Sequence, residues 1–192
     1  NIKLKLLDRL DATNPVRGTM NSIENREILL NSEGFLKNIA TVIEKQSNLV
    51  ALKELIRDHL LYKNYFANYP ISLPVQPGQL CICLDVENIQ TKDSATRPIE
   101  IPFNCISRQM SSPTNHTFSA LYKREDIRKD YIITKVILLM DLIIYRELGI
   151  EMNLTNYAIL PIDEKSGFVE IIPNAQTIYN IHEKLKFTIQ NF

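Results

Sequence analysis

The hydrophobic positions change their period once along the chain, near residue 70. Before that point, apolar residues fall at Phe35, Leu36, Ile39, Val42 and Ile43, then at Leu49, Leu52, Leu55, Ile56 and Leu60. Spacings of three and four place them on one face of an amphipathic helix, or of two helices in series. Lys37, Glu44, Lys45, Lys53, Glu54, Arg57 and Asp58 lie between them and form the solvated face. Asn14, Pro15 and Gly18 mark an earlier loop, and Ile2 to Leu10 fit the end of a preceding helix. Pro70, Pro74, Pro77 and Gly78 then punctuate the chain. Proline fixes φ and disfavours helix in the residue before it, so this stretch is an extended connector.

Beyond the connector the period falls to two. Leu80, Ile82, Leu84 and Val86 alternate with Cys81, Cys83, Asp85 and Glu87, which predicts a half-buried strand. A polar turn over 91–97 leads to a returning strand from Pro98 to Phe103. Residues 104–115 are polar, contain Pro113 and read as a loop, and Phe118 to Lys123 is a third strand. Ile127 to Leu148 then follows a helical period, apolar around so much of its circumference that cover on more than one side is expected. Gly149 supplies its stop. Tyr157 to Ile162 and Phe168 to Ile172 are two further strands joined by the turn Asp163-Glu-Lys-Ser-Gly167, and Ala175 to Ile181 opens a last helix. The predicted fold class is α+β: an antiparallel five-stranded sheet with one long helix, preceded by an α-helical segment. The predicted division is a helical lead-in over 1–69 and a sheet unit over 70–192.

Composition bounds the function. Lys plus Arg and Asp plus Glu both number 22, so the net charge is zero and bulk electrostatics give no reason to expect a nucleic-acid partner. No apolar run reaches the ~18 residues that a membrane span needs. The most apolar stretch, Tyr131 to Tyr145, is interrupted by Lys135 and Asp141. The first residues, with charges spaced through them, do not form a signal peptide, and a start at Asn1 fits a fragment or a processed chain. Three cysteines without framework spacing fit reduced thiols and a cytoplasmic setting. Cys81 and Cys83, two apart on a strand, are expected to share one face as small packing residues. The three histidines are scattered, so no zinc site is expected.

Walker A loops and nucleophile elbows are absent, and no two of the five glycines form a G-x-G. One constellation points to chemistry. Lys123 closes a strand, and Lys123-Arg-Glu-Asp-Ile-Arg-Lys-Asp130 runs into the long helix. A lysine at a strand end can reach nucleotide phosphates as a point charge, held by a carboxylate at the start of the next helix. The same run also reads as a solvated helix start whose carboxylates suit the helix dipole.

The order of these elements resembles the phosphatidylinositol 3-kinase family, most of all its class III (vacuolar sorting) branch. Leu73-Pro-Val-Gln-Pro77 is similar to that family's proline-rich entry, and Asp93-Ser-Ala-Thr-Arg-Pro98 to its phosphate-binding turn. Lys123 to Asp130 matches its K-x-G-D-D-L-R-Q-D segment, and Leu139-Met-Asp141 and Leu154-Thr-Asn-Tyr157 follow in order. Gly167-Phe-Val-Glu-Ile-Ile-Pro-Asn174 nearly reproduces its hinge strand.

The resemblance implies a kinase-type N-lobe over about residues 70–183, with ATP and magnesium or manganese as cofactors. Lys123 resembles the lysine that contacts the ATP phosphates, and Asp130 the carboxylate that positions it. Ser94 falls at the phosphate-loop serine. Leu121, Tyr157 and Val169 would line the adenine pocket, with Glu170 and Ile172 meeting the adenine edge through backbone groups. Leu121, Val169 and Ile172 also fit plain strand core, and Tyr157 a packed aromatic.

The implied activity is transfer of the ATP γ-phosphate to the 3-hydroxyl of phosphatidylinositol at a membrane surface. A peripheral place on endosomal or autophagic membranes and a protein-kinase-like regulatory subunit are implied with it. The family's Asp-Arg-His and Asp-Phe-Gly motifs are absent from these residues, so the metal ligands fall outside them and the isolated chain is expected to be inactive. The Lys123 segment is one residue short and lacks the family glycine, which leaves its register open by one position. A phosphatidylinositol 4-kinase or related kinase, a non-catalytic kinase-lobe module regulating a partner, and a helical interaction domain with an unrelated small sheet are the alternatives.

Overall fold

A computed structural model of the chain describes residues 22–63, 65–67, 70–75, 79–107, 115–154, 156–172 and 175–185. The readings made for residues 2–19, Pro77, Gly78, Pro113 and the Pro173-Asn174 exit lie outside them.

The helical period before the connector forms two helices, α1 (Ser22–Glu44) and α2 (Leu49–Lys63). Asn48 separates them and caps α2, its side-chain oxygen accepting the Val50 N–H at 2.9 Å. Ile28, Phe35, Leu36, Ile39 and Ile43 of α1 and Leu52 and Ile56 of α2 are buried, at the spacing the sequence predicts.

The second half forms β1 (Gln79–Leu84), β2 (Gln90–Thr91), β3 (Ile99–Ser107), β4 (Asn115–Lys123), α3 (Arg128–Leu148), β5 (Ile159–Pro161), β6 (Gly167–Glu170) and α4 (Ile178–Leu185). The six strands make one antiparallel sheet in the order β1-β3-β4-β6-β5, with β2 paired to the start of β3. The architecture is the predicted α+β arrangement, with the short β2 as an extra strand.

One face of the sheet packs on α1 and α2. Phe35 sets its ring edge-on to Phe103 at 6.0 Å, and Tyr122 meets Phe168 at 5.1 Å. Ile99, Ile101, Phe103 and Cys105 of β3 all point to this face and are buried. A single core therefore joins α1, α2 and the sheet, and the change of period near residue 70 does not interrupt it. Two polar contacts lock the arrangement. Tyr122 donates its hydroxyl proton to Glu44 at 2.8 Å, and Arg124 donates to the carbonyls of Ile43 and Gln46 at 2.8 and 2.9 Å. Ile43 lies in the last turn of α1, where carbonyls lack partners within the helix, and Gln46 just past its end; a guanidinium from the end of β4 bonds both.

Three elements depart from the sequence reading. A bulge interrupts β1: Cys81 pairs with Cys105, but Cys83 pairs with Asn104. The extra residue turns the strand over, so Cys81 is buried and Cys83 exposed, on opposite faces. The expected loop over 104–115 is shorter, because β3 continues to Ser107 and β4 begins at Asn115. Asn104 and Thr117 fill an outward position of an antiparallel pair whose other face carries Phe103 and Cys105.

The third departure is α3. It ends where predicted, with Gly149 at φ 66° donating its N–H to the Tyr145 carbonyl at 2.9 Å. Its cover is far thinner than its apolar circumference implies. Thr134 is its one buried residue, while Ile132, Ile133, Leu139, Met140 and Leu142 are each more than half exposed. Among the described residues, no helix is long and apolar enough to cross a membrane.

Candidate functional site

Strand alternation assigns the predicted site residues to faces. Leu121 of β4 pairs with Val169 of β6, which pairs with Ile159 of β5. Paired residues share a face, so these three form an apolar row on the side turned away from α1 and α2. Leu121 and Val169 are half-buried. Lys123, two residues beyond Leu121, projects from the same face opposite Gly167. The lysine and the apolar pair thus lie roughly 7 Å apart along the strand.

Gly167 is required by close approach. A Cβ there would come within 2.4 Å of Ile127 Cδ1 and 2.5 Å of the Leu160 carbonyl oxygen. Ile127 immediately precedes α3, so the missing side chain lets the helix start lie against β6 beside Lys123.

The Lys123 side chain is 28% exposed, and its ammonium pairs with Glu125 at 2.9 Å. Among the described residues, Glu125 is the carboxylate that meets it. Asp130 is exposed in the first turn of α3. The sequence reading looked to the helix start for this partner and missed Glu125. Period two carried one step past the strand gives the signal, since residues 123 and 125 point the same way. Asp126 is taken by Arg128, which also reaches Glu164 of the β5–β6 turn at 3.1 Å. The Arg128 guanidinium hydrogen-bonds the Asp126 carboxyl and lowers its pKa to about 2.

Ser94 is exposed in the β2–β3 loop, its carbonyl accepting the Arg97 N–H at 3.0 Å. β3 starts at Ile99 opposite Tyr122, so this loop lies at the same end of the sheet as Lys123. Arg97 sits at φ 44°, a left-handed conformation that costs a side-chain-bearing residue ~1–2 kcal/mol. The sequence reading also missed Lys92, whose ammonium pairs with Glu100. Glu100 faces Leu121 across the β3–β4 ladder, which brings a second cation to the open face. Burial raises the Glu100 pKa, but hydrogen bonds from Lys92, Gln90 and Ser119 outweigh it and leave it lowered.

Glu170, Ile172 and Tyr157 lie toward the other end of the sheet. Glu170 pairs with Ala120, about 10 Å along β4 from Lys123. Its backbone N–H donates to the Ala158 carbonyl at 2.8 Å, and its carboxylate accepts the Ala158 N–H at 2.9 Å. The Glu170 amide is thus engaged within the protein. Tyr157 directly precedes Ala158, and Ile172 follows the last ladder pair; both are half-buried. The fold therefore brings Leu121, Val169 and Lys123 onto one face, with the Ser94 loop at the cationic end and Tyr157, Glu170 and Ile172 at the other. Among the described residues, no group of three or more metal-ligating side chains stands together.

A family model described as "Phosphatidylinositol 3- and 4-kinase" matches residues 117–191. The chain is 26% identical over 151 residues to phosphatidylinositol 3-kinase age-1 of Caenorhabditis briggsae, covering 78% of this chain and 13% of that protein. It is 26% identical over 143 residues to phosphatidylinositol 3-kinase VPS34 of Saccharomyces cerevisiae, covering 72% and 15%. It is 30% identical over 112 residues to the phosphatidylinositol 3-kinase C2 domain-containing subunit gamma of Mus musculus, covering 57% and 7%. The chain spans no more than 15% of the length of these relatives. Similarity at this level supports a lipid-kinase-like fragment.

Proposed function

We propose that this chain is the ATP-binding lobe of a kinase that phosphorylates the 3-hydroxyl of phosphatidylinositol. The observation that carries the reading is the shared face of Leu121, Val169 and Lys123. An adenine ring favours an apolar slot, and a triphosphate favours cations and N–H donors. The distance of about 10 Å from Glu170 to Lys123 along the sheet suits a nucleotide laid between them. Leu121 and Val169 contact the base, Lys123 balances charge on the phosphates, and the Ser94 loop closes over them. Because the Glu170 N–H is bonded to Ala158, the hinge amide offered to adenine falls to a position beyond Glu170, with Ile172 the candidate.

Magnesium or manganese, when bound, neutralises phosphate charge during transfer. In this reading its ligands and the base for the lipid hydroxyl belong to a second lobe. The apolar exposure of α3 supports that arrangement, since a helix with Leu142 61% exposed calls for a neighbour. The match to several 3-kinases favours the 3-hydroxyl, although the family description spans 3- and 4-kinases. Class III membership, endosomal or autophagic membranes and a protein-kinase-like regulatory subunit come with the motif resemblance and belong to the same proposal.

The test is turnover by the full-length protein on phosphatidylinositol vesicles with ATP, with the phosphate position read by chromatography of the deacylated lipid. The expected product is the 3-phosphate, and Lys123→Met reduces its formation at least ~100-fold. A 4-phosphate product moves the reading to the 4-kinases. Undiminished turnover in Lys123→Met, or no lipid product at all, overturns it.

A further inference from the structure

Cys81 of β1 and Cys105 of β3 are direct Cα partners in antiparallel register. The Cys81 N–H donates to the Ile71 carbonyl at 2.7 Å, and the Cys81 carbonyl accepts the Ile71 N–H at 2.8 Å. Both backbone groups of Cys81 therefore point away from β3. Cys81 and Cys105 thus form a non-hydrogen-bonded pair, the kind that brings facing Cα atoms to ~4.5 Å and side chains closest together. A disulfide bridges Cα atoms ~4.4–6.8 Å apart. The two sulfurs stand 3.1 Å apart, and both residues are fully buried. The bulge removes the competing thiol, since Cys83 faces the other way, where Asn104 Nδ2 donates to its sulfur at 3.2 Å.

We propose that Cys81 and Cys105 form a reversible oxidation site that closes to a cross-strand disulfide under hydrogen peroxide, without rearranging β1 or β3. The Cys105 thiolate attacks one peroxide oxygen. The O–O bond breaks, Cys105 becomes a sulfenic acid, and the departing oxygen leaves as water after taking up a proton. The Cys81 sulfur then attacks the Cys105 sulfur. The S–S bond forms, the S–O bond breaks, and a second water leaves with the Cys81 proton. Two thiols lose two electrons, and one peroxide is reduced to two waters.

Cys105 is the sulfur that reacts first. The side-chain contact with Cys81 and, after it, the Phe118 backbone amide lower its pKa against the effect of burial, while the same contact and burial raise that of Cys81. Both residues are fully buried and Ile71 is bridged to β1 at Cys81, so peroxide reaches the pair only when that bridge opens locally. The cross-link closes a covalent ring over residues 81–105, which contains β2 and the Ser94 loop. The site stands independently of the nucleotide reading.

The experiment treats the full-length protein with hydrogen peroxide, blocks the remaining thiols with N-ethylmaleimide in denaturant, and maps peptides without reduction. The expected result is a Cys81–Cys105 cross-link, reversed by dithiothreitol, with Cys83 alkylated. Cys83→Ser retains the cross-link and, because Cys81 and Cys83 share a tryptic peptide, identifies the bonded sulfur. Dominant linkage through Cys83, or alkylation of both Cys81 and Cys105 at a peroxide dose that oxidises Cys83, overturns the proposal. Oxidised wild-type protein is also expected to melt at a higher temperature than its reduced form. A lower melting temperature would show that the bond strains the strands, against the proposal.

Discussion

The Lys123 ammonium lies 2.9 Å from the Glu125 carboxylate, two residues further along the chain and on the same side of it. In the nucleotide reading, Lys123 must be aimed, and Glu125 is the group placed to aim it. Glu125→Gln is expected to lower turnover by ~10–100-fold, the range for a misplaced catalytic group. Asp130→Asn is expected to change it less than ~3-fold, because the Asp130 side chain is exposed and Lys123 is already paired. Folding stability should fall by less than ~1 kcal/mol in either variant, as for other solvent-accessible pairs. Steady-state kinetics of the two variants decide the matter. A larger loss in Asp130→Asn returns the positioning role to the helix start.

Arg124 ties the end of β4 to the end of α1, on the side opposite Lys123. Its guanidinium donates to the carbonyls of Ile43 and Gln46, and Tyr122, two residues earlier, donates to Glu44. Arg124→Ala removes both carbonyl contacts and is expected to destabilise the fold by ~1.5–3 kcal/mol. Tyr122→Phe loses the hydroxyl's bonds to the exposed Glu44 carboxylate and to Ser166 and should cost ~0.5–1.5 kcal/mol. Urea unfolding measures both. A loss below ~0.5 kcal/mol in Arg124→Ala would mean that water replaces the guanidinium freely and that α1 does not depend on it.

Gly167 faces two obstacles of different kinds. Ile127 Cδ1, 2.4 Å from a would-be Cβ, belongs to a side chain that can turn; the Leu160 carbonyl at 2.5 Å belongs to the ladder and cannot. Gly167→Ala is expected to destabilise by ~1–3 kcal/mol through overpacking. Adding Ile127→Val removes Cδ1 and should recover only part of that loss, since the carbonyl remains. Full recovery in the double variant would assign the whole effect to the side chain.

The sequence shows most clearly those elements whose signal is local. The long helix is visible in the apolar positions from Ile132 to Leu148, and Gly149 marks its end because a left-handed residue is needed there. The bulge in β1 is hidden: Leu80, Cys81, Ile82 and Cys83 give an unbroken apolar run, and only pairing with β3 decides which residue is skipped. β3 extends past Phe103 for a similar reason, since Asn104 and its polar neighbours need only one buried face to stay paired. The apolar row of the candidate site is legible in Leu121 and Val169. The Lys123 partner is not, because a charged run offers several carboxylates and the geometry after the strand end selects one. The exposure of α3 cannot be read from the sequence either, because an apolar circumference states what a helix requires and not what covers it.

Asp126 gives the clearest dependence on acid. The Arg128 guanidinium and, after it, the Arg128 backbone amide hold its pKa at about 2, below the ordinary 3.8. The folded protein therefore binds this proton less readily than the unfolded chain. The associated stability is present in full above about pH 4 and disappears as the pH falls toward 2. Removing the guanidinium with Arg128→Ala should move the Asp126 midpoint part of the way back toward 3.8 and shrink the contribution to what the backbone amide supplies, while also freeing Glu164 of the β5–β6 turn. Carboxyl carbon titration by NMR reads the midpoint directly. A wild-type midpoint near 3.8 would mean that the pair does not hold in solution, and that the start of α3 is not fastened to the Lys123 segment by Asp126 and Arg128.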